Sequence, residues 1–86
     1  MKRNEVIAII ENERNYQEAN KGKDESHIVE DFPLSAGLEA IRYNMEKANQ
    51  SWYVEKAPYP NAMSYLRKVA AICIQMGEKY GMTPRY

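Results

Sequence analysis

The sequence predicts an all-α fold of three helices, in which a long antiparallel helical hairpin follows an N-terminal helix. Apolar residues recur with helical spacing in three segments, at about residues 5–20, 33–53 and 61–80. Segments that contain glycine or proline separate them, and no segment shows the two-residue alternation of a half-buried strand. The 86 residues are expected to form a single helical domain, 1–86.

The N-terminal helix carries polar side chains where its apolar stripe should continue. The stripe consists of Val6, Ile9 and Ile10. At about 100° per residue it then reaches Glu13 and Gln17, although a buried carboxylate is costly without a partner. Three interpretations are open. Both side chains face water, Glu13 forms a structural ion pair with Arg42 or Arg67, or the polar cluster is the floor of a ligand pocket.

The second helix carries the clearest apolar seam of the chain. Its members follow spacings of four, three, four, three and four residues: Leu34, Leu38, Ile41, Met45, Ala48 and Trp52. This pattern is typical of a long helix packed along a partner helix. Asn4 is expected to cap the first helix and Asp31 the second, with Pro33 in the first turn of the second helix.

The third helix has an apolar arc wider than half of its circumference. The main stripe consists of Leu66, Val69, Ala70, Cys73, Gly77 and Tyr80, and the arc is widened by Met63, Ile72, Ile74 and Met76. One partner helix cannot cover this arc, so we expect contact with its hairpin partner and with another copy of the chain. The sequence therefore predicts a homo-oligomer. Gly81 is expected to end the helix in a left-handed conformation.

The composition excludes several classes of protein. Twelve basic and twelve acidic residues cancel, so nonspecific nucleic-acid binding is not expected. The apolar segments are too short for a signal peptide or a membrane span, which predicts a cytoplasmic protein without a membrane partner. The one cysteine, Cys73, excludes an internal disulfide and a cysteine-based zinc site, and it is expected to be a small core residue.

Aromatic and basic side chains together favour a small planar anion as ligand. Tyrosine or tryptophan can stack on a base, while arginine and lysine can hold phosphate groups. The candidate ligand-binding residues are Glu13, Arg14, Tyr16, Gln17, His27, Arg42, Trp52 and Arg67. His27 stands alone in a charged segment, where an exposed or capping role is the ordinary one. Neither a phosphate loop, nor an activated nucleophile, nor a cluster of metal ligands is recognisable, so no catalytic residue, metal or cofactor is expected.

The order of several short motifs resembles that of small helical proteins from tailed bacteriophages and prophages. The motifs are Glu13-Arg14-x-Tyr16-Gln17, Gly22, His27-x-Val29, Lys47-Ala48 with Trp52, and LRKVAAICIQMGEKYG followed by Pro84-Arg85. Together they span about residues 11 to 85. The resemblance implies a phage or bacterial origin, the host bacterial cytoplasm, an all-helical fold and a role in nucleotide handling.

Related phage sequences are often compared with MazG-type nucleoside triphosphate pyrophosphatases. Those enzymes hold magnesium with Glu-x-x-Glu on one helix and Glu-x-x-Asp on the next. The nearest counterparts in this chain are Glu11-x-x-Arg14 and Glu39-x-x-Arg42. Arginine in place of the second carboxylate would repel the metal and attract phosphate. The resemblance therefore implies binding of a phosphorylated ligand more than its hydrolysis.

Three functional hypotheses follow from these patterns. The favoured one is a non-enzymatic phage protein that oligomerises and binds a nucleotide or cyclic nucleotide, sequestering a signal of bacterial anti-phage defence. The second is an unusual MazG-type pyrophosphatase. The third is an inhibitor that binds a host enzyme through the exposed face of Glu39, Tyr43 and Glu46.

Overall fold

The computed structural model describes residues 1–20 and 32–85, which form three α-helices. Helix α1 is Arg3–Asn20, α2 is Leu34–Trp52 and α3 is Pro60–Tyr80. Neither of the two described ranges contains a strand. The prediction of an all-α fold with three helices is therefore confirmed.

Helix α3 lies at the centre of the arrangement. Helices α1 and α2 both pack on α3, α2 more extensively, and they do not contact each other within the described residues. The wide apolar arc of α3 is thus contacted from two sides, although Met63 and Ile74 of this arc remain 54% and 36% exposed. Sequence reasoning expected the second cover to come from another copy, whereas in this structure α1 of the same chain supplies part of it.

Both ends of α2 are held to α3. The backbone carbonyl of Phe32 accepts hydrogen bonds from Lys79 Nζ at 2.8 Å and from the Tyr80 hydroxyl at 2.9 Å. The rings of Phe32 and Tyr80 meet edge to face, with centroids 6.2 Å apart. At the other end of α2, the ring of Trp52 lies edge-on to that of Tyr59, at 6.5 Å. These contacts fix the position of α2 along α3.

The seam predicted for α2 coincides only in part with the face that this helix buries, because Ala48 belongs to both. The buried residues of α2 are Gly37, Asn44 and Ala48. Four large members of the seam are instead 39% to 53% exposed: Leu34, Leu38, Met45 and Trp52. The prediction that these four residues pack along a partner helix is therefore wrong for the single chain. We refer to these four residues as the α2 apolar surface.

The close approach of α3 at Gly37 explains this rotation of α2. A Cβ atom at Gly37 would lie 2.9 Å from Met76 Sδ and 3.1 Å from Phe32 Cε2, closer than side-chain atoms normally pack. Because glycine has no side chain, the side chains of Met76 and Phe32 can lie directly against the α2 backbone at this point. The side with Gly37 and Ala48 therefore faces α3, and the larger residues lie to its flank.

The apolar core of the described residues is small. Its members are Phe32, Ala48, Ala62, Ala71 and Ile72. Three of the five are alanines, and Ile72 is the one large aliphatic side chain in this group, with 3% of its surface exposed. Because apolar burial stabilises roughly in proportion to the buried area, much of the core's contribution depends on very few side chains.

Helix α1 begins earlier than the sequence predicts. It starts at Arg3, so Asn4 lies inside the helix and is not its cap. The carbonyl of Lys2 accepts the N–H groups of Glu5 and Val6, both at 3.1 Å. The N–H of Lys2 in turn donates to the Glu5 carboxylate at 3.2 Å. This return bond resembles one half of a capping box and allows the additional residues to join the helix.

The predictions for the start of α2 and the end of α3 agree with the structure to different degrees. Pro33 precedes α2 and does not lie in its first turn. Asp31, the expected cap of α2, lies outside the described residues. Gly81 follows α3, and its N–H donates to the carbonyl of Gly77 at 2.9 Å, so the predicted end of α3 at Gly81 is confirmed. Its φ of +78° is positive, as glycine permits, but with ψ at 163° the residue does not have the left-handed helical conformation that was expected.

Glu55 caps α3 from the connection that precedes it. Its Oε1 accepts the N–H of Asn61 at 2.7 Å, and its Oε2 accepts the N–H of Ala62 at 3.0 Å. These N–H groups belong to the first turn, where the helix has no carbonyl partners for them, and a negative charge there also interacts favourably with the helix dipole. Tyr59, directly before α3, makes no side-chain capping bond and has φ 60°.

Glu55→Gln is expected to lower the free energy of unfolding by about 1 kcal/mol. The amide keeps one acceptor oxygen but loses the second acceptor and the charge. Urea unfolding followed by circular dichroism measures the change. Glu39→Gln, on the exposed face of α2, is a matched control and should have an effect below about 0.5 kcal/mol. Equal losses in the two variants would contradict the capping role.

Candidate functional site

The polar side chains at the end of the α1 stripe lie at its contact with α3. Glu13 accepts a hydrogen bond at Oε1 from Arg67 Nε, at 2.6 Å. The Glu13 side chain is 11% exposed and that of Arg67 is 37% exposed. Arg67 also donates from Nη2 to the hydroxyl of Ser64 at 3.1 Å. The interpretation in which Glu13 faces water is therefore wrong, and its structural ion pair with Arg67 is confirmed.

Arg14 forms a second ionic connection between α1 and α3. Its Nε donates to Glu78 Oε1 at 2.6 Å, and its Nη2 donates to Glu18 Oε2 at 2.8 Å. The side chain of Arg14 is only 12% exposed, whereas both partner carboxylates are more than half exposed. Arg14 therefore lies under its partners, between the two helices.

The electrostatics of Arg14 favour its charged form. Desolvation acts to lower the pKa of Arg14, but hydrogen bonds and charge attraction from Glu78 and Glu18 outweigh it, so the pKa is raised above its ordinary value. A cation whose pKa rises on folding stabilises the fold at every pH below its unfolded pKa. The contribution is lost only as the pH rises through the folded pKa. Deprotonation of Arg14 therefore produces no pH dependence of stability near neutrality.

The hydrogen bonding of the Gln17 side chain is incomplete. Its Nε2 donates to the backbone carbonyl of Lys68 at 3.4 Å, near the outer limit of hydrogen-bond geometry. Its Oε1 atom and the Nη1 atom of Arg14 are buried without a hydrogen-bond partner among the described residues. A buried polar atom left without a partner costs about 1–3 kcal/mol. The contact between α1 and α3 is thus strongly polar, but two of its buried polar atoms have no hydrogen-bond partner among the described residues.

Arg42 lies on the exposed face of α2 and does not meet Glu13. It pairs within its own helix, with Glu39 at 3.6 Å and Glu46 at 3.4 Å, and all three side chains are well exposed. The proposed pairing of Glu13 with Arg42 is therefore wrong. Together with Tyr43, these α2 residues line an open, shallow depression of the surface.

The structure brings some of the candidate ligand-binding residues together and separates others. One group shares the α1–α3 contact: Glu13, Arg14, Gln17 and Arg67. Tyr16 is an exposed residue of α1. Arg42 and Trp52 belong to α2, which does not touch α1 in the described part of the chain. His27 lies outside the described residues.

Sequence reasoning missed Glu18 and Glu78 as the partners of Arg14. Glu18 lies four residues after Arg14 on the same helix, a spacing that brings opposite charges together, so a local signal was present. Glu78 lies 64 residues away on α3. No local pattern in the chain indicates that pairing.

The described residues offer no preformed metal centre. In residues 1–20 and 32–85, no group of three or more histidine, cysteine, aspartate or glutamate side chains could hold a metal ion. Cys73 is a free, partly buried cysteine. Across the same residues, none of the helices has both the length and the apolar character needed to cross a membrane.

Comparisons of the chain with protein-family models, with curated proteins and with solved structures gave no match.

Proposed function

We propose that this protein is a phage-encoded helical protein that assembles from several copies and binds a nucleotide or cyclic nucleotide. It sequesters this ligand in the host bacterial cytoplasm without hydrolysing it, and thereby counters anti-phage signalling. The observation that carries the proposal is the α2 apolar surface, because it combines exposed aliphatic side chains with an exposed indole ring. The chemical class of the ligand is inferred by analogy with phage proteins of similar motif order.

Assembly accounts for the distribution of apolar residues. Monomeric proteins rarely expose large contiguous apolar patches, and an 86-residue chain has little interior in which to hide them. The α2 apolar surface lies beside the face that packs on α3, so a second copy can cover it without displacing α3. Contacts at both ends of α2 support an antiparallel α2–α3 hairpin as the unit that assembles.

The chemistry of the exposed candidates suits a nucleotide. Trp52 and Tyr16 are each about half exposed, and both carry the type of aromatic ring that stacks on a planar base. Arg42 is exposed, and its pairs with carboxylates are long, so a phosphate group can compete for it. These three residues lie on two helices that do not touch in the described part of one chain. A site built from two copies explains how they act together.

The α1–α3 contact has a supporting role in this proposal. The charges of Arg14 and Arg67 are already paired with carboxylates on the facing helix. Their pairs hold the helix that carries Tyr16 in place. Glu13 and Gln17 belong to the same support.

Two measurements on the purified chain test the proposal. Native mass spectrometry is expected to give a multiple of the 10.0 kDa chain mass. Calorimetry with nucleoside mono-, di- and triphosphates and cyclic dinucleotides is expected to show heat with at least one of them, and the ligand is expected to be recovered unchanged. A strictly monomeric chain at high concentration would contradict assembly, and a panel without heat would contradict ligand binding. Release of pyrophosphate with magnesium would support the MazG-type alternative.

Leu38→Lys tests the α2 apolar surface directly. A charge placed in the middle of this surface is expected to dissociate the assembly to single chains, because an unpaired ammonium group is costly to bury. Glu46→Lys, on the exposed face of the same helix, is the matched control and should leave the native mass unchanged. The surface is not an assembly interface if Leu38→Lys also leaves the native mass unchanged.

A second candidate function is supported by the shallow depression on α2. Its charged rim and the exposed ring of Tyr43 suit the edge of a protein–protein contact, as expected for an inhibitor of a host enzyme. Pull-down of one stoichiometric host protein, lost on Tyr43→Ala, would favour this function over ligand sequestration.

A further inference from the structure

We propose that α1 is a releasable arm, which opens from α3 as a unit while α2 and α3 remain packed. Among the described residues, two interhelical ion pairs hold the arm, Glu13 with Arg67 and Arg14 with Glu78, and we call them the ionic latch. A long hydrogen bond from Gln17 to the Lys68 carbonyl adds to them. This inference goes beyond the proposed function and does not depend on it. It concerns a conformational change of the single chain.

The burial of the three helices is unequal. None of the 18 residues of α1 is buried, whereas α2 has three buried residues and α3 has four. The large apolar side chains near the start of α1 are 40% to 48% exposed: Val6, Ile7 and Ile9. Nearly half of the surface of these side chains is already in contact with water, so detachment of α1 returns less apolar area than detachment of a helix with buried residues would. Segments with little buried apolar surface open with low free energies, well below that of global unfolding.

Each ion pair of the latch has one partner open to solvent and ions and one that is mostly buried, Arg14 at 12% and Glu13 at 11% exposed. The Glu78 carboxylate is 57% exposed, and Arg67 is more than a third exposed. Such pairs contribute only about 0.2–1 kcal/mol each, and dissolved salt weakens them further. Opening also allows water to reach Arg14 Nη1 and Gln17 Oε1, the two buried atoms that lack partners. Hydration of these atoms offsets part of the energy lost with the ion pairs.

The opening of α1 leaves the rest of the described structure intact. No contact joins α1 to α2 in the described ranges, so α2 loses nothing when α1 leaves. Ala48 of α2 stays covered, because α3 is the one described helix that α2 contacts. Release uncovers the side of α3 that carries Arg67, Lys68 and Glu78.

Hydrogen exchange of the full-length chain, followed by mass spectrometry, tests the arm. A released helix of this length is marginally stable in water, so opening exposes its amides to exchange. Raising KCl from about 0.05 M to about 1 M is expected to speed exchange in the middle of α1 about fivefold, because the latch is screened. Exchange in the middle of α3 is expected to be slower than exchange in α1 at both salt concentrations. Its rate should change by less than about twofold between them.

One variant isolates the latch from general effects of salt. Glu78→Gln removes one interhelical pair and is expected to speed α1 exchange at low salt and to reduce its response to KCl by about half. Arg42→Gln removes the exposed pairs of α2 and should leave α1 exchange and its salt response as in the unmodified chain. The salt series on the unmodified chain gives the answer even where a variant folds poorly.

Two results would overturn the proposal. Exchange of α1, α2 and α3 amides at one common rate at every salt concentration would show that α1 opens only with global unfolding. Exchange of α1 that is faster than that of α3 but independent of salt would show that an ionic latch does not hold the arm.

Discussion

Ile72→Ala is expected to lower the free energy of unfolding by about 3 kcal/mol. The substitution removes most of the one large aliphatic side chain in the small buried core and leaves a cavity in a tightly packed interior. Small domains have total stabilities of about 5–15 kcal/mol, so this loss removes a large part of the total. The midpoint of thermal unfolding should fall by about 12 °C or more.

A matched substitution lies two residues further along the same helix. Ile74 is 36% exposed, so Ile74→Ala removes the same atoms from a position that is partly in contact with water. Its effect on the free energy of unfolding should be about 1 kcal/mol or less. Urea denaturation of both variants measures the two values. Similar losses at both positions would show that Ile72 does not have the central role in the core that its burial indicates.

Arg67→Met is expected to lower the free energy of unfolding by about 2 kcal/mol. The change leaves the Glu13 carboxylate, which is 11% exposed, without its cation. Arg67 itself is more than a third exposed, so the effect is smaller than the about 3–5 kcal/mol expected when a fully buried pair is broken. Chemical denaturation at low salt is the appropriate measurement.

The double variant Glu13→Met, Arg67→Met separates the value of the pair from the cost of a single unpaired charge. With both charges replaced by apolar side chains, stability is expected to return to within about 1 kcal/mol of the original chain. Arg42→Met, which breaks exposed pairs on α2, is the control and should have little effect. A double variant as unstable as the sum of the two single variants would contradict this account.

The number and position of the helices were predictable because they depend on local patterns. Apolar spacing located all three helices, and Gly81 marked the end of α3 through its freedom to adopt a positive φ. The orientation of α2 about its axis was not predictable in the same way. The pattern favours large residues such as Leu38, whereas the close approach of α3 depends on Gly37, which has no side chain and gives no signal in an apolar stripe.

The sequence indicated the candidate site at the positions where polar residues interrupt an apolar helical pattern. Glu13 and Gln17 interrupt an apolar stripe, and both lie at the contact with α3. The partner of Glu13 was limited to two arginines, and only the packing of α1 on α3 selects Arg67. The pairing of Arg14 with Glu78 depends on tertiary structure alone, because 64 residues separate the two side chains. Cap formation by Glu55 likewise depends on the path of the connection before α3.

The central position of α3 has a consequence for synthesis of the chain on the ribosome. Proteins are made from the N-terminus, so α1 and α2 leave the exit tunnel before α3 exists. Neither helix contacts the other within the described residues, so among the described helices neither has a packing partner during that interval. Stable packing during translation must therefore wait until the C-terminal helix has emerged.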